Sequence, residues 1–203
     1  MRQRYLALLP GLVLGVFSHA QSAGIGFKGG LLASTVKALN VRTGLIPGAT
    51  VGLYVPCGIG PRMELQPELL LSSLGSTYFE PDGDVTLVRS LYLQLPVSLK
   101  MYLGNGLNLA GGFQLGKLLL AQQIGTEGSG PVTRSYNALD MGFIGGLGMD
   151  LVSGVDLSFR AYGAMTPTLR NDEALFPTNR SLEFTVGYRF TQFKGRGHFT
   201  RHR

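Results

Sequence analysis

Carboxylates and cations that recur at every second residue are the groups in this chain whose types and spacing could do chemistry. Glu64 and Glu68 lie two positions apart on one face of an alternating segment. A close carboxylate pair can divide acid and base roles between its members. The same face carries Arg62, and the corresponding face of the other segments carries Lys28, Lys100, Arg160 and Arg189, with Asp140, Asp150, Asp156 and Glu183. Such a mixture of signs pairs within itself, so an ion-pair network accounts for Glu64 and Glu68 better than catalysis does. Histidine is absent where it would matter: His19 precedes the body of the chain, and His198 and His202 fall in its last residues. That removes the commonest general base and metal ligand. The expectation is a protein that is not an enzyme, with no catalytic residue, no metal and no cofactor. Gly24-x-Gly26-x-x-Gly29 spells a dinucleotide fingerprint, but that motif needs a strand before it and a helix after it. Here it opens an alternating segment, and strand glycines are the better reading.

The segments that must position these charges share a period of two. In residues 91–103 (LYLQLPVSLKMYL), Leu91, Leu93, Leu95, Val97, Leu99, Met101 and Leu103 fall on one face. Tyr92, Gln94, Pro96, Ser98, Lys100 and Tyr102 fall on the other, which is the signature of a β-strand. Thirteen residues can cross a bilayer at a tilt. Comparable segments are expected at 24–34, 48–56, 61–74, 87–103, 107–121, 137–151, 155–166 and 180–191. The expected fold is all-β: an eight-stranded antiparallel transmembrane β-barrel. Pro67 and Pro96 each remove a ladder donor, so a bulge or break is expected at both.

Connections alternate in length. Residues 56–61 (PCGIGP), 104–106 and 152–154 read as tight turns, while 35–47, 75–86, 122–136 and 167–179 are longer. Short periplasmic turns and long outer loops are the layout of an outer-membrane barrel, and an even strand count puts both ends in the periplasm. A soluble barrel would instead place the apolar face inside. Two features favour lipid outside: the polar face mixes glycine with charges of both signs, and Arg89 and Lys117, the charges on the apolar face, fall near strand ends. A lipid-facing cation costs about 2–4 kcal/mol at midplane and little at the interface. Tyr78, Phe79, Asp82, Asp84, Arg134, Arg170, Asp172 and Glu173 belong to the outer loops and are candidate contacts for a protein partner, against plain solvated loops.

The ends differ from the body. Residues 1–20 carry Arg2 and Arg4, then an apolar stretch, then Ser18-His19-Ala20, which is the layout of a cleaved signal peptide. The barrel is expected over 21–191 and a basic tail over 192–203. The formal charge of +6 arises at the ends, because residues 21–190 hold 12 basic and 12 acidic side chains. A nucleic-acid-binding domain would show a basic excess on the fold itself, so no nucleic acid is expected. The tail (FKGRGHFTRHR) is suited to anionic lipid or an acidic partner, or else is simply solvated. Cys57 is the single cysteine, which rules out an intrachain disulfide, and it reads as an incidental turn residue.

Segments 65–76 (LQPELLLSSLGS), 92–103 (YLQLPVSLKMYL) and 182–190 (LEFTVGYRF), with 111–119 (GGFQLGKLL) and 142–151 (GFIGGLGMDL), carry a family likeness. Across essentially the whole chain after the leader, they resemble the PorT-like outer-membrane β-barrel family of the Bacteroidetes. The resemblance implies an eight-stranded barrel in the outer membrane, in contact with its lipid. It also implies a role in assembly or secretion, as for the family's namesake. A small pore or channel for solutes is the alternative.

Overall fold

The computed structural model describes residues 22–39, 41–79, 85–125, 128–169 and 176–190. The expected signal peptide and basic tail lie outside these residues. Eight strands form the body: β1 (Gly26–Lys37), β2 (Ile46–Tyr54), β3 (Met63–Phe79), β4 (Val85–Gly104), β5 (Leu107–Gly125), β6 (Leu139–Asp150), β7 (Val155–Ala164) and β8 (Thr178–Arg189). Each pairs antiparallel with its sequence neighbours, and β8 pairs with β1, so the sheet closes.

Paired residues can be followed once around the ring, from Ala23 through Cys57, Leu65, Leu99, Gly111, Gly145, Ala161 and Leu182 to Ala33. The path returns to the first strand ten residues further on, from 23 to 33. Eight strands with such a stagger enclose a space just wide enough for side chains.

Alternation places the two kinds of side chain on opposite sides of this wall. Leu31, Leu53, Leu95, Phe143, Phe159 and Phe184 are exposed on the outside. Lys28, Glu64, Glu68, Gln94, Lys100, Asp150 and Arg160 are buried inside. An apolar exterior around a polar interior is the reverse of a soluble barrel, and it follows from lipid being the outer solvent. Near the end where β1 begins and β8 finishes, Phe27, Tyr188 and Phe190 form an exposed aromatic group with ring centroids 5.6–6.2 Å apart. Aromatic girdles of this kind mark a membrane interface.

The wall is uneven in height. Strands β3, β4 and β5 run 17, 20 and 19 residues, whereas the other five run 9 to 12. The long expected loops 75–86 and 122–136 are therefore partly strand: β3 continues to Phe79, and β5 to Gly125 with a short partner, Gly128–Pro131. Backbone pairing carries these strands past the point where the apolar alternation fades. Lys117 accordingly sits mid-strand in β5, and Arg89 lies five positions into β4.

The two prolines interrupt ladders without shifting register. The β3–β4 pairing skips Glu68 and Leu69, opposite Pro96 and Leu95, then resumes in step at Leu70 and Gln94. The β2–β3 pairing stops at Tyr54–Glu68 and resumes in step at Cys57–Leu65, with Val55 donating to the Pro67 carbonyl at 2.9 Å. The register shifts are elsewhere, in the β4–β5 pairing: one between Tyr102 and Gly104 beside the turn, and one where Leu91 pairs with Leu120 and Tyr92 with Leu118, so Leu119 and Leu120 both face outward. Cys57 is buried in a two-residue strand that continues the ring, which corrects its reading as a turn residue. Of the tight turns, 104–106 is built on positive φ, at 142°, 51° and 84°, which Gly-Asn-Gly supplies at low cost. Gly26 and Gly29 lie within β1, which pairs with β2 and β8 and is followed by no helix among the described residues.

Candidate functional site

Every strand delivers an inward side chain at each second residue, so the barrel interior is where the chemistry-bearing groups converge. Ten of the eleven charges read from the sequence as one inward set are buried there: Lys28, Glu64, Glu68, Lys100, Asp140, Asp150, Asp156, Arg160, Glu183 and Arg189. Arg62 is the correction. It is exposed in the turn before β3, where the alternation of Met63–Phe79 has not yet begun.

Nine of the ten charges form two groups. In the first, Arg160 on β7 bridges Glu68 at 2.9 Å and its cross-strand neighbour Glu183 at 2.8 Å. Lys28 closes this group at 2.8 Å from the other oxygen of Glu68, with its ammonium 4.8 Å from the Tyr54 ring centroid. Gln66 also donates to Glu68, at 2.6 Å. The second group is centred on Arg189 of β8, which meets Asp150 at 2.6 Å, Glu64 at 3.2 Å and Asp156 at 3.4 Å. Lys100 adds a contact to Asp150 at 3.4 Å, Tyr102 donates to Asp150 and Glu64, and Tyr54 donates to Asp156. Buried carboxylates held by guanidinium and ammonium groups in this way are charge-assisted and fixed in place.

Asp140 stands apart, nearer the outer end. It accepts from Asn179 at 3.0 Å and Thr166 at 3.2 Å, and Asn179 also donates to the Tyr92 hydroxyl at 3.3 Å. Around this level the interior turns apolar: Leu32, Leu74, Val88, Tyr92, Leu118, Ala121 and Tyr136 form one buried cluster. Tyr136 comes from the connection between β5 and β6, which folds inward through the 3₁₀ turn Thr133–Ser135. The hydroxyl of Thr133 accepts from the Ala121 amide at 2.9 Å, and Asn137 donates to the Pro167 carbonyl at 2.8 Å. The outer mouth is thus plugged by the barrel's own loop. Sequence periodicity gave no sign of it, because Tyr136 lies outside the alternating segments.

The interior is close to full. A cavity of about 10 Å³ lies between the Glu68–Arg160 pair and Lys100, lined also by Gln66, Ser98 and Ser158. That is room for about one water molecule. The clustered carboxylates around it neutralise buried cations. Among the described residues no set of side chains is grouped to hold a metal ion.

The expected loop contacts separate. Phe79 and Arg134 are exposed at the outer end, on the last residue of β3 and on the 3₁₀ turn. Tyr78 is a strand residue that packs against the plug, which corrects its placement in a loop. Asp82, Asp84, Arg170, Asp172 and Glu173 lie outside the described residues.

This arrangement is similar to solved barrels of Gram-negative outer membranes. Ail, the attachment invasion locus protein of Yersinia pestis, superimposes with a TM-score of 0.52 at 16% identity, covering 82% of this chain and 99% of Ail. Neisserial surface protein A does so with a TM-score of 0.54 at 11% identity, covering 83% of this chain and 99% of its own. Ail in complex with the heparin analogue sucrose octasulfate gives 0.50 at 12% identity, covering 83% and 99%. At these identities the likeness is one of fold. No curated protein matches the sequence. The family model for the outer membrane protein beta-barrel domain matches residues 19–180. The chain belongs to the outer membrane protein beta-barrel domain family, and is an eight-stranded barrel of the outer membrane.

Proposed function

We propose that this barrel is a PorT-like, non-enzymatic interaction or assembly component, associated with secretion, which presents its outer loops to a protein partner. The observation that carries the reading is the filled interior. Nine charges packed in two groups below, and Tyr136 with its apolar neighbours above, leave the barrel surface as the place for function. The PorT-like segments quoted above support the family branch and its link to secretion. The similar Ail barrel, solved with a bound heparin analogue, fits with a binding role for a barrel of this fold. Rigid scaffolds that carry variable loops commonly bind through those loops.

The test is recovery of the tagged barrel from its native outer membrane in mild detergent. Two forms are compared: the intact chain, and one whose segments 80–84 and 170–175 are replaced by short Gly-Ser turns. A stoichiometric partner that accompanies the intact chain and is lost with the shortened loops is the expected result. The reading fails if the same partner stays with the shortened form, or if the intact barrel is recovered alone. Steady single-channel conductance from the purified barrel would instead favour a small solute channel.

A further inference from the structure

Three strands rise beyond the lipid. At about 3.3 Å per residue and a tilt of about 40°, the 20 residues of β4 climb roughly 50 Å, about twice the apolar band of such a barrel. The tight turn 104–106 keeps the lower end of β4 near the periplasmic interface, so the excess stands on the outer side. Strands β3 and β5 accompany it, and a short strand, Arg42–Gly44, pairs with the upper end of β3.

Paired residues share a face, so register fixes what this extension presents. On the outward face, Gly75, Arg89 and Gln122 form a row across β3, β4 and β5 that ends the lipid-facing run. Apolar side chains then return. Gly44, Thr77, Leu87 and Ile124 make the next row, and Arg42, Phe79 and Val85 the one beyond it. Phe79, Val85 and Ile124 are 45–46% exposed. The Phe79 ring leans over Gly44, where a Cβ would come within 3.2 Å of it. The inner face of the same strands is covered: Val88 and Ala121 belong to the plug cluster, and Tyr78 packs against it. Nothing among the described residues covers the outer face. Charge there has one sign. Arg42 and Arg89 stand at opposite corners of the patch, about 17 Å apart by ordinary sheet spacing. All six acids among the described residues, Glu64, Glu68, Asp140, Asp150, Asp156 and Glu183, are buried in the interior.

We infer that this face docks an acidic amphipathic segment of a partner protein. Its apolar stripe covers Phe79, Val85, Leu87 and Ile124, and carboxylates beside the stripe meet Arg42 and Arg89. Such docking rests on the role of the barrel as an interaction component, proposed above, and moves the contact from the loop tips to the side of the sheet. Exposed apolar surface above the lipid belt is the kind of patch that marks a protein contact. Charge selects the occupant. The membrane holds every copy of the chain at one height, so a second copy would set the same cations against each other, whereas an acidic partner complements them.

The experiment places the full chain in zwitterionic lipid nanodiscs and follows a fluorescent amphipathic helical peptide, with Leu along one face bordered by Glu, by anisotropy. Empty discs give the background, and heat-modifiable mobility on a gel confirms that each variant is folded. The parent is expected to bind this peptide, more weakly as salt is raised, and not the peptide with Lys in place of Glu. Binding should fall about tenfold in Arg42→Gln/Arg89→Gln. It should fall at least about tenfold in Phe79→Ser/Leu87→Ser. Arg42→Lys/Arg89→Lys should retain most of it, and Arg62→Gln, at the other end of the barrel, all of it. The form with segments 80–84 and 170–175 shortened should bind as the parent does, which separates this face from the loop contact tested above. The inference is overturned if the parent does not bind, if the Lys peptide binds equally well, or if either folded double variant to Gln or Ser binds as the parent does. Loss of binding with the shortened loops would also overturn it. So would a dimer of the parent in light scattering that Leu87→Asp dissolves, by assigning the face to a second copy.

Discussion

Asp150 and Asp156 face one another across β6 and β7, a direct pairing of like charges that would destabilise a sheet on its own. Arg189 resolves it by reaching both, together with Glu64. Buried ion pairs add little net stability over apolar packing, but removing one partner strands the other in a low-dielectric interior. Arg189→Met should therefore cost about 3–5 kcal/mol, read by urea unfolding in micelles with gel mobility as the signal. Adding Asp156→Asn to that variant should restore part of the loss, because one stranded carboxylate is then neutral. Full stability in Arg189→Met alone would show that the guanidinium is not what holds the three acids together.

A strand contributes more than the direction of its side chains. At Gly30 of β1, a Cβ would run into the carbonyl oxygen of Phe184 on β8, where the closed wall brings the two backbones together on the inner side. Gly30→Ala should cost about 1–3 kcal/mol through backbone displacement, measured by the same unfolding assay. An unchanged midpoint would mean that the wall has slack there. The inward connection between β5 and β6 is a second element with a structural task. Tyr136→Ala removes the side chain that ties this connection to the buried apolar cluster, and should lower stability by about 2–4 kcal/mol. If the loss is below about 0.5 kcal/mol, within the range of ordinary surface substitutions, the loop is only resting on the mouth.

For the barrel as a body, closure decides what the interior can be. Eight strands with a stagger of ten residues leave space for side chains and little more. The lower half is filled by the Arg160 and Arg189 groups, and the upper half by the apolar cluster. Two independent layers have a testable consequence. Tyr136→Ala opens only the upper one, so the variant should still show no steady conductance in planar bilayers. Ion flow through that variant would mean that the charged layer is open to water and that the plug alone seals the barrel. The outer surface follows the same logic in reverse, with its exposed Leu, Phe and Val side chains solvated by lipid.

Period-two alternation separates Leu65 from Glu64, and Leu99 from Lys100, before any fold is known. It sets the strand number and the face each residue takes, because side-chain direction in a strand is a local property of the backbone. Charge balance and the order of short and long connections then point to lipid outside. Register is different. Which carboxylate meets which cation depends on the stagger around the closed ring, and Arg189 reaches Glu64 from 125 residues away. No local pattern encodes that distance. The same holds for the extension of β3, β4 and β5 beyond their apolar runs, and for the bulge at Leu119, both of which are products of pairing between strands. Arg62 departs from the alternation for a related reason: alternation has no meaning in a turn, and only the folded chain shows where the turn ends. Tyr136 completes the contrast, since a lone aromatic in a loop becomes a plug only when eight strands have made a mouth for it to fill.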